Sequence, residues 1–210
     1  MSTKIERARQ EHACARPAPA DSPHGAAERS SQLVSDEGQI PALARTAVET
    51  YVLQRRIIKP TPFPPASLLS RPSACFVCIK TLGRELRGCI GTVEPEKETL
   101  AEEVMVNAIK AATRDPRFEP VSSDELPSLR YSVDLLGRLE PAEFDDLDPS
   151  VFGVVVTNPS GSRRGLLLPA IETIRTAAEQ VSIAAGKAGI AADAPLKLYR
   201  FRTHRFSEWV

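Results

Sequence analysis

Apolar positions along the chain switch between a helical and an extended period, and the switches mark its elements. Ile40, Leu43, Ala44, Ala47, Val48, Tyr51 and Val52 recur at steps of three and four, the signature of one helix face. Pro41 suits the first helical position, where a missing N–H is tolerated. Residues 59–72 carry five prolines and read as an extended loop. Residues 75–82 and 86–92 read as two strands joined by Gly83-Arg84-Glu85. A second helix covers 98–114, with Leu100, Val104, Ala108 and Ala111 inward, and Pro116 stops it. Ser122 and Glu125 have capping-box spacing and announce a short helical turn. Over 129–138, Tyr131, Val133 and Leu135 alternate with Ser132 and Asp134. Residues 152–157 and 165–168 form a hairpin around Asn158-Pro-Ser-Gly-Ser162. Thr176 and Glu179 cap a third helix, with Val181, Ala184, Ala185 and Ala188 inward, Lys187 in its last turn and Gly189 just past its end. A final strand covers 196–206. Hairpins with helices set apart between them predict an α+β fold, not an alternating α/β one.

Composition changes this picture at the N-terminus. Residues 1–35 are rich in Ala, Pro, Ser and Arg, with few large apolar side chains (Ile5, Leu33, Val34). Such a stretch buries too little surface to offset its ordering entropy and is expected to be a disordered tail before one domain at 36–210. The chain holds 27 basic and 27 acidic residues, a net charge of zero, which argues against a dedicated nucleic-acid binder. Local basic groups remain: Arg163-Arg164, and the stripe Arg200, Arg202 and His204. That stripe would bind an anion or an RNA backbone, although such charges more often protect an edge strand against aggregation. No apolar run reaches membrane-spanning length and the N-terminus lacks a secretory stretch, so the expectation is a cytoplasmic protein. Its four cysteines, Cys14, Cys75, Cys78 and Cys89, are then expected to stay reduced.

Candidate chemistry centres on Leu86-Arg87-Gly88-Cys89-Ile90-Gly91-Thr92. Strand alternation places Leu86, Gly88, Ile90 and Thr92 toward the core, and Arg87, Cys89 and Gly91 on the other face. A guanidinium near a thiol favours the thiolate. Arg87 would alternatively grip a carboxylate or phosphate. Gly88 and Gly91 let a ligand, or another backbone, come close. The competing reading makes Cys89 a space-filling residue and the glycines packing devices.

Other candidates stand beside this one. Asn107 lies on the inner stripe of the second helix, where its amide either satisfies a backbone group or lines a site. Asp115-Pro-Arg-Phe118 is a proline-fixed turn with a local ion pair, or else Asp115 accepts a proton and Arg117 clamps an anion. Cys75-Phe-Val-Cys78 spells CxxC, yet residues three apart in a strand face opposite ways. Cys78 and Cys89 are able to meet across the hairpin, which leaves a disulfide switch open. His204 is the one histidine of the domain and would have to reach Cys89 to form a catalytic pair. No zinc-ligand spacing, glycine-rich phosphate loop or nucleophile elbow is present, so no metal or cofactor is expected.

The Cys89 segment resembles the hallmark of the AMME chromosomal region domain family, whose prokaryotic members are called AmmeMemoRadiSam system protein A. Leu43-Ala-Arg45, Phe76-Val-Cys-Ile79, Asn107-Ala-Ile-Lys-Ala-Ala-Thr-Arg-Asp-Pro-Arg-Phe118, Arg163-Arg-Gly-Leu-Leu-Leu-Pro169 and Lys187-Ala-Gly-Ile190 continue the likeness. Cys78 departs from it, because relatives commonly carry Thr there. The resemblance implies two intertwined α+β subdomains of unequal size, the larger an antiparallel sheet flanked by helices. It also implies partners: a radical S-adenosylmethionine enzyme and a Memo-like protein, itself similar to non-haem iron dioxygenases. It implies no particular reaction. The expectation is a catalytic or accessory component of such a modification pathway. A catalytic component would use Cys89, Arg87 and Asp115, with Gly88, Gly91, Asn107 and Arg117 contacting a small molecule or modified biopolymer. The alternatives are a protein-interaction scaffold and a nucleic-acid-binding module.

Overall fold

The computed structural model describes residues 23–209 apart from Thr61, with side chains from Asp36 onward. Residues 1–22 of the expected tail lie outside the described residues. Helix α1 spans Pro23–Gln54, so it starts ahead of the Asp36 boundary expected from composition, and Pro41 lies inside it rather than at its first position. The N–H that Pro41 lacks would have reached the carbonyl of Glu37, an exposed residue, so the lost bond falls on the solvent side of the helix. The buried stripe of α1 is Ile40, Ala44, Ala47 and Val48.

The proline-rich loop is not wholly extended. A 3-10 turn at Leu68–Ser70 buries Leu69 and is capped by Ser67. Asp36 anchors that turn: its carboxylate accepts from the Ser67 hydroxyl at 2.9 Å and from the Leu68 N–H at 3.0 Å.

Two four-stranded antiparallel sheets follow. Strands β1 (Cys75–Thr81), β2 (Leu86–Gly91), β3 (Leu129–Leu136) and β8 (Thr203–Ser207) make the first, in the order β2-β1-β3-β8. Strands β4 (Glu140–Ala142), β5 (Gly153–Thr157), β6 (Arg164–Leu167) and β7 (Lys197–Phe201) make the second, in the order β4-β7-β5-β6. The chain passes from the first sheet to the second after β3 and returns after β7, so the two halves are intertwined. These crossings run side by side, with the Gly137 N–H donating to the Arg202 carbonyl at 2.8 Å. This corrects the single strand expected over 196–206. Its alternation continues across Arg202, but the chain there leaves one sheet for the other. Arg200 and His204 accordingly belong to different sheets.

Helix α2 (Leu100–Thr113), capped by Thr99, packs with α1 on one face of the first sheet. Val77, Ile79, Leu100, Val104, Ala108, Leu129, Tyr131, Val133 and Phe206 form that core. Helix α3 (Ala177–Lys187), closed by the expected capping box, covers the second sheet through Val181, Ala184 and Ala185 against Val154, Val156 and Leu167. Among the described residues no helix is long and apolar enough to cross a membrane.

Both helices approach their sheets over a glycine. A Cβ on Gly88 would lie 2.2 Å from the Ala111 carbonyl oxygen of α2, and one on Gly165 would lie 1.9 Å from the Ala184 oxygen of α3. Backbone cannot give way as a flexible side chain does, so these glycines and the alanine faces above them set the helix-to-sheet distance. Gly88→Ala is therefore expected to lower unfolding free energy by about 1–3 kcal/mol or more, read from urea denaturation. A loss below about 0.5 kcal/mol, the range of an indifferent surface substitution, would show that α2 does not press on β2.

Candidate functional site

Cys89 occupies the middle of β2, the edge strand of the first sheet. It lies directly opposite Cys78 on β1, with Cα atoms 4.2 Å apart, and the two form a disulfide. This corrects the expectation of reduced thiols for that pair. So short a separation marks a non-hydrogen-bonded pair, which turns the N–H and C=O of Cys89 away from β1 toward the open edge.

Two side chains occupy that edge. The Cys89 N–H donates to Asp115 Oδ2 at 2.8 Å, and Arg117 Nη2 donates to the Cys89 carbonyl at 3.4 Å. Arg117 also holds Asp115 through Nε at 2.9 Å and Nη2 at 2.7 Å. Local sequence builds this clasp. Asp115-Pro-Arg-Phe118 closes a β-turn, with the Phe118 N–H on the Asp115 carbonyl at 3.1 Å and the Arg117 N–H on Asp115 Oδ1 at 3.1 Å. Asp at the first and Pro at the second turn position are the residues such a turn favours. Hydrogen bonds from Arg117, then the Cys89 N–H, hold the buried Asp115 carboxyl down to about 2. A carboxylate that binds protons so weakly is a poor general base at neutral pH.

Arg87 does not share a plain face with Cys89. The register between β1 and β2 shifts after Ile79 pairs with Gly88, so Arg87 is the extra residue of a β-bulge and Leu86 turns outward, 37% exposed. This corrects the unbroken alternation read from the sequence. The Arg87 guanidinium grips Glu125 bidentately, at 2.6 and 3.0 Å, and its Nη1 is buried without a partner. Glu125 also accepts from the Ser122 N–H at 2.8 Å, the capping box expected there. Arg87, then Ser122, pulls the Glu125 carboxyl down to about 2. The Phe118 ring lies 5.8 Å from the Arg87 guanidinium and 5.5 Å from that of Arg117.

The remaining nominated residues turn inward. The Cβ side of Gly88 is filled by α2, and that of Gly91 by Phe76 and the Cys75 carbonyl, so backbone and side chain occupy the space a ligand would take. Asn107, fully buried, donates to the Cys75 carbonyl at 3.1 Å and to Glu103 at 3.4 Å. Sequence reading missed Glu103. Its buried carboxylate accepts from the Thr92 hydroxyl at 2.6 Å and from the Glu96 and Lys97 N–H groups, each at 2.9 Å. The available signal was a charged residue one turn before a buried amide on an otherwise apolar stripe. Cys75 faces the core with its thiol pushed up to about 12 by burial, while Cys78 faces away, so CxxC makes no site.

His204 lies on β8, at the opposite edge of the sheet from Cys89. Three strand spacings, roughly 14 Å, separate those edges, so His204 and Cys89 form no pair. Arg200 pairs with Glu140, and both Arg200 and Arg202 lie over the Phe152 ring, at 4.6 and 4.5 Å. Arg163 donates to the Gly189 carbonyl, and Arg164 pairs with Glu94 at 2.7 Å. Lys187, at the end of α3, has its amine lowered by burial and then by the charge of Arg117. Among the described residues no group of three or more His, Cys, Asp or Glu gathers as a metal site. Two surface hollows lie away from Cys89, one of about 270 Å³ beside Phe63 and Glu102 and one of about 460 Å³ beside Phe144 and Tyr199.

These features define an α+β module of two interlocked sheets with a clasped cysteine on one edge strand. Residues 41–206 match the AMMECR1 family, and the chain belongs to it. A Thermotoga maritima protein is 45% identical over 161 residues, covering 76% of this chain and 91% of that one. A longer Clostridium acetobutylicum protein is 38% identical over 167 residues, which are 79% of this chain but 35% of that protein. The crystal structure of an uncharacterised Pyrococcus horikoshii protein superposes with a TM-score of 0.75 at 29% identity, covering 83% of this chain and 92% of the other.

Asp115 and Glu125 give the protein an acid dependence of known sign. Their folded-state affinities for protons lie below those of the unfolded chain, near 4, so the stabilisation is present above about pH 4.5 and is lost as pH falls toward 2. Asp115→Asn should lose about 1–3 kcal/mol at neutral pH, with a shallower fall in urea midpoint between pH 5 and 2. An unchanged acid slope would show that Asp115 carries none of the acid dependence.

Proposed function

We propose that the protein is a non-catalytic accessory component of a modification pathway joining a radical S-adenosylmethionine enzyme and a Memo-like protein, and that it works by docking. The observation carrying this reading is that the polar groups nominated for chemistry are committed to the fold. Arg87 is bonded to Glu125, Asp115 to Arg117 and the Cys89 N–H, and Asn107 to Cys75 and Glu103. The longer Clostridium relative supports it too, because there a matching segment takes up about a third of a larger chain.

The docking surface in this reading is the end of the β1–β2 hairpin. Leu82 and Leu86 are 52% and 37% exposed there, and Arg84 lies over the Trp209 ring at 4.8 Å. Apolar and aromatic groups beside a positive charge are the usual anchors of a protein interface. The nucleic-acid alternative has less support, since Arg163, Arg164 and Arg200 are spent on internal contacts.

The test is calorimetric titration of the purified protein with the radical enzyme and the Memo-like protein of its own organism. A complex with either is expected. Leu82→Asp with Leu86→Asp should weaken it at least about tenfold, or 1.4 kcal/mol, without moving the unfolding midpoint. A protein that binds neither partner at about 100 μM, a Kd corresponding to roughly 5.5 kcal/mol, contradicts the proposal.

A further inference from the structure

We propose that Cys78 and Cys89 are a reversible redox pair, a dithiol–disulfide site that exchanges two electrons with an external dithiol while the protein stays folded. The inference goes beyond the docking role and does not depend on it.

Three observations carry it. First, the pairing of β1 with β2 does not rest on the disulfide. Strand β1 is also held by β3 from Cys75↔Leu135 to Thr81↔Leu129, and β2 is held at Cys89 by Asp115 and Arg117. Opening the S–S bond therefore leaves the two sulfurs facing each other across Cα atoms 4.2 Å apart, placed to close again. Second, both cysteines are half-buried, not sealed, and lie on the sheet face turned away from α1 and α2, on the edge strand and its neighbour. An incoming thiolate has access that a core disulfide would deny it. Third, the remaining described cysteine is kept out of the exchange. Cys75 is fully buried on the opposite face, and burial pushes its thiol up to about 12, so it supplies no thiolate to scramble the pair.

The chemistry balances as thiol–disulfide exchange. One thiolate of the external dithiol attacks a sulfur of the pair and forms a mixed disulfide, releasing the other cysteine as thiolate. The second thiol of the reagent, deprotonated, attacks its own sulfur in the mixed disulfide and releases the remaining cysteine. The reagent leaves as its disulfide, oxidised by two electrons, and its two protons pass to Cys78 and Cys89. Reoxidation runs the same steps backward with a disulfide oxidant such as oxidised glutathione.

The test equilibrates the full chain in graded mixtures of reduced and oxidised dithiothreitol, quenches with N-ethylmaleimide and quantifies label on each cysteine peptide by mass spectrometry. Cys78 and Cys89 should gain label together in one transition. The far-ultraviolet circular dichroism should not change, and Cys75 should stay unlabelled until denaturant is added. When a reduced, unquenched sample is given oxidised glutathione before labelling, roughly 90% or more of the pair should return to the unlabelled disulfide. In Cys78→Ser, Cys89 should label at every ratio, with no redox dependence. The proposal is overturned if Cys78 and Cys89 label only when Cys75 does, which would mean that opening requires unfolding. It is equally overturned if both thiols remain free after oxidised glutathione is added to the folded protein.

Discussion

Cys89 sits on an edge strand with its N–H and C=O pointing away from the sheet, and the Asp115–Arg117 clasp that satisfies them organises its surroundings. An open edge invites pairing with another chain. Here the edge is closed by side chains instead of a ninth strand. The clasp needs α2 to end where it does, because Pro116 both stops the helix and fixes the turn that carries Asp115 and Arg117. It needs Gly88, because only without a Cβ can α2 lie close enough for its exit turn to reach β2. Arg87 and Glu125 extend the closure by one bulged residue, and Phe118 lies near both guanidinium groups.

Behind β2 the same segment is tied inward. Thr92 ends the motif on Glu103, Glu103 holds the backbone of the following loop, and Asn107 joins that carboxylate to the Cys75 carbonyl. A buried carboxylate is costly unless its lone pairs are filled, and four donors fill these. The motif thus reads physically as a strand locked on both sides, with a glycine wherever another part of the chain presses on it. A segment so heavily anchored keeps its backbone in place whether the Cys78–Cys89 bond is open or closed.

Much of this was legible from residue order. The α+β class, the three helices, both hairpins and the capping residues Ser122 and Thr176 follow from local spacing, because local hydrogen bonds and one buried face decide them. The possible meeting of Cys78 and Cys89 was also visible, from hairpin symmetry. What escaped was set by tertiary contacts. The bulge at Arg87 depends on Glu125, which lies 38 residues away. The split of the last strand at Arg202 depends on its crossing with Gly137. Pro41 has the spacing of a helix start, yet it lies within α1, where the N–H it lacks would have reached the carbonyl of Glu37, an exposed residue. Sequence alone leaves Gly88 and Gly91 suited to a ligand or to backbone, and only the tertiary fold shows α2 and Phe76 on their Cβ sides.

Hydrogen exchange at the Cys89 amide tests the clasp most directly. An outward amide on an unprotected edge strand exchanges rapidly, whereas one bonded to a buried carboxylate exchanges only when that contact opens. Strong protection of the Cys89 N–H is expected in the native protein, with exchange at least about a hundredfold slower than in an unstructured peptide, and its loss in Asp115→Ala while the amides of β3 stay protected. Rapid exchange at Cys89 in the native protein, or protection that survives removal of Asp115, would contradict it.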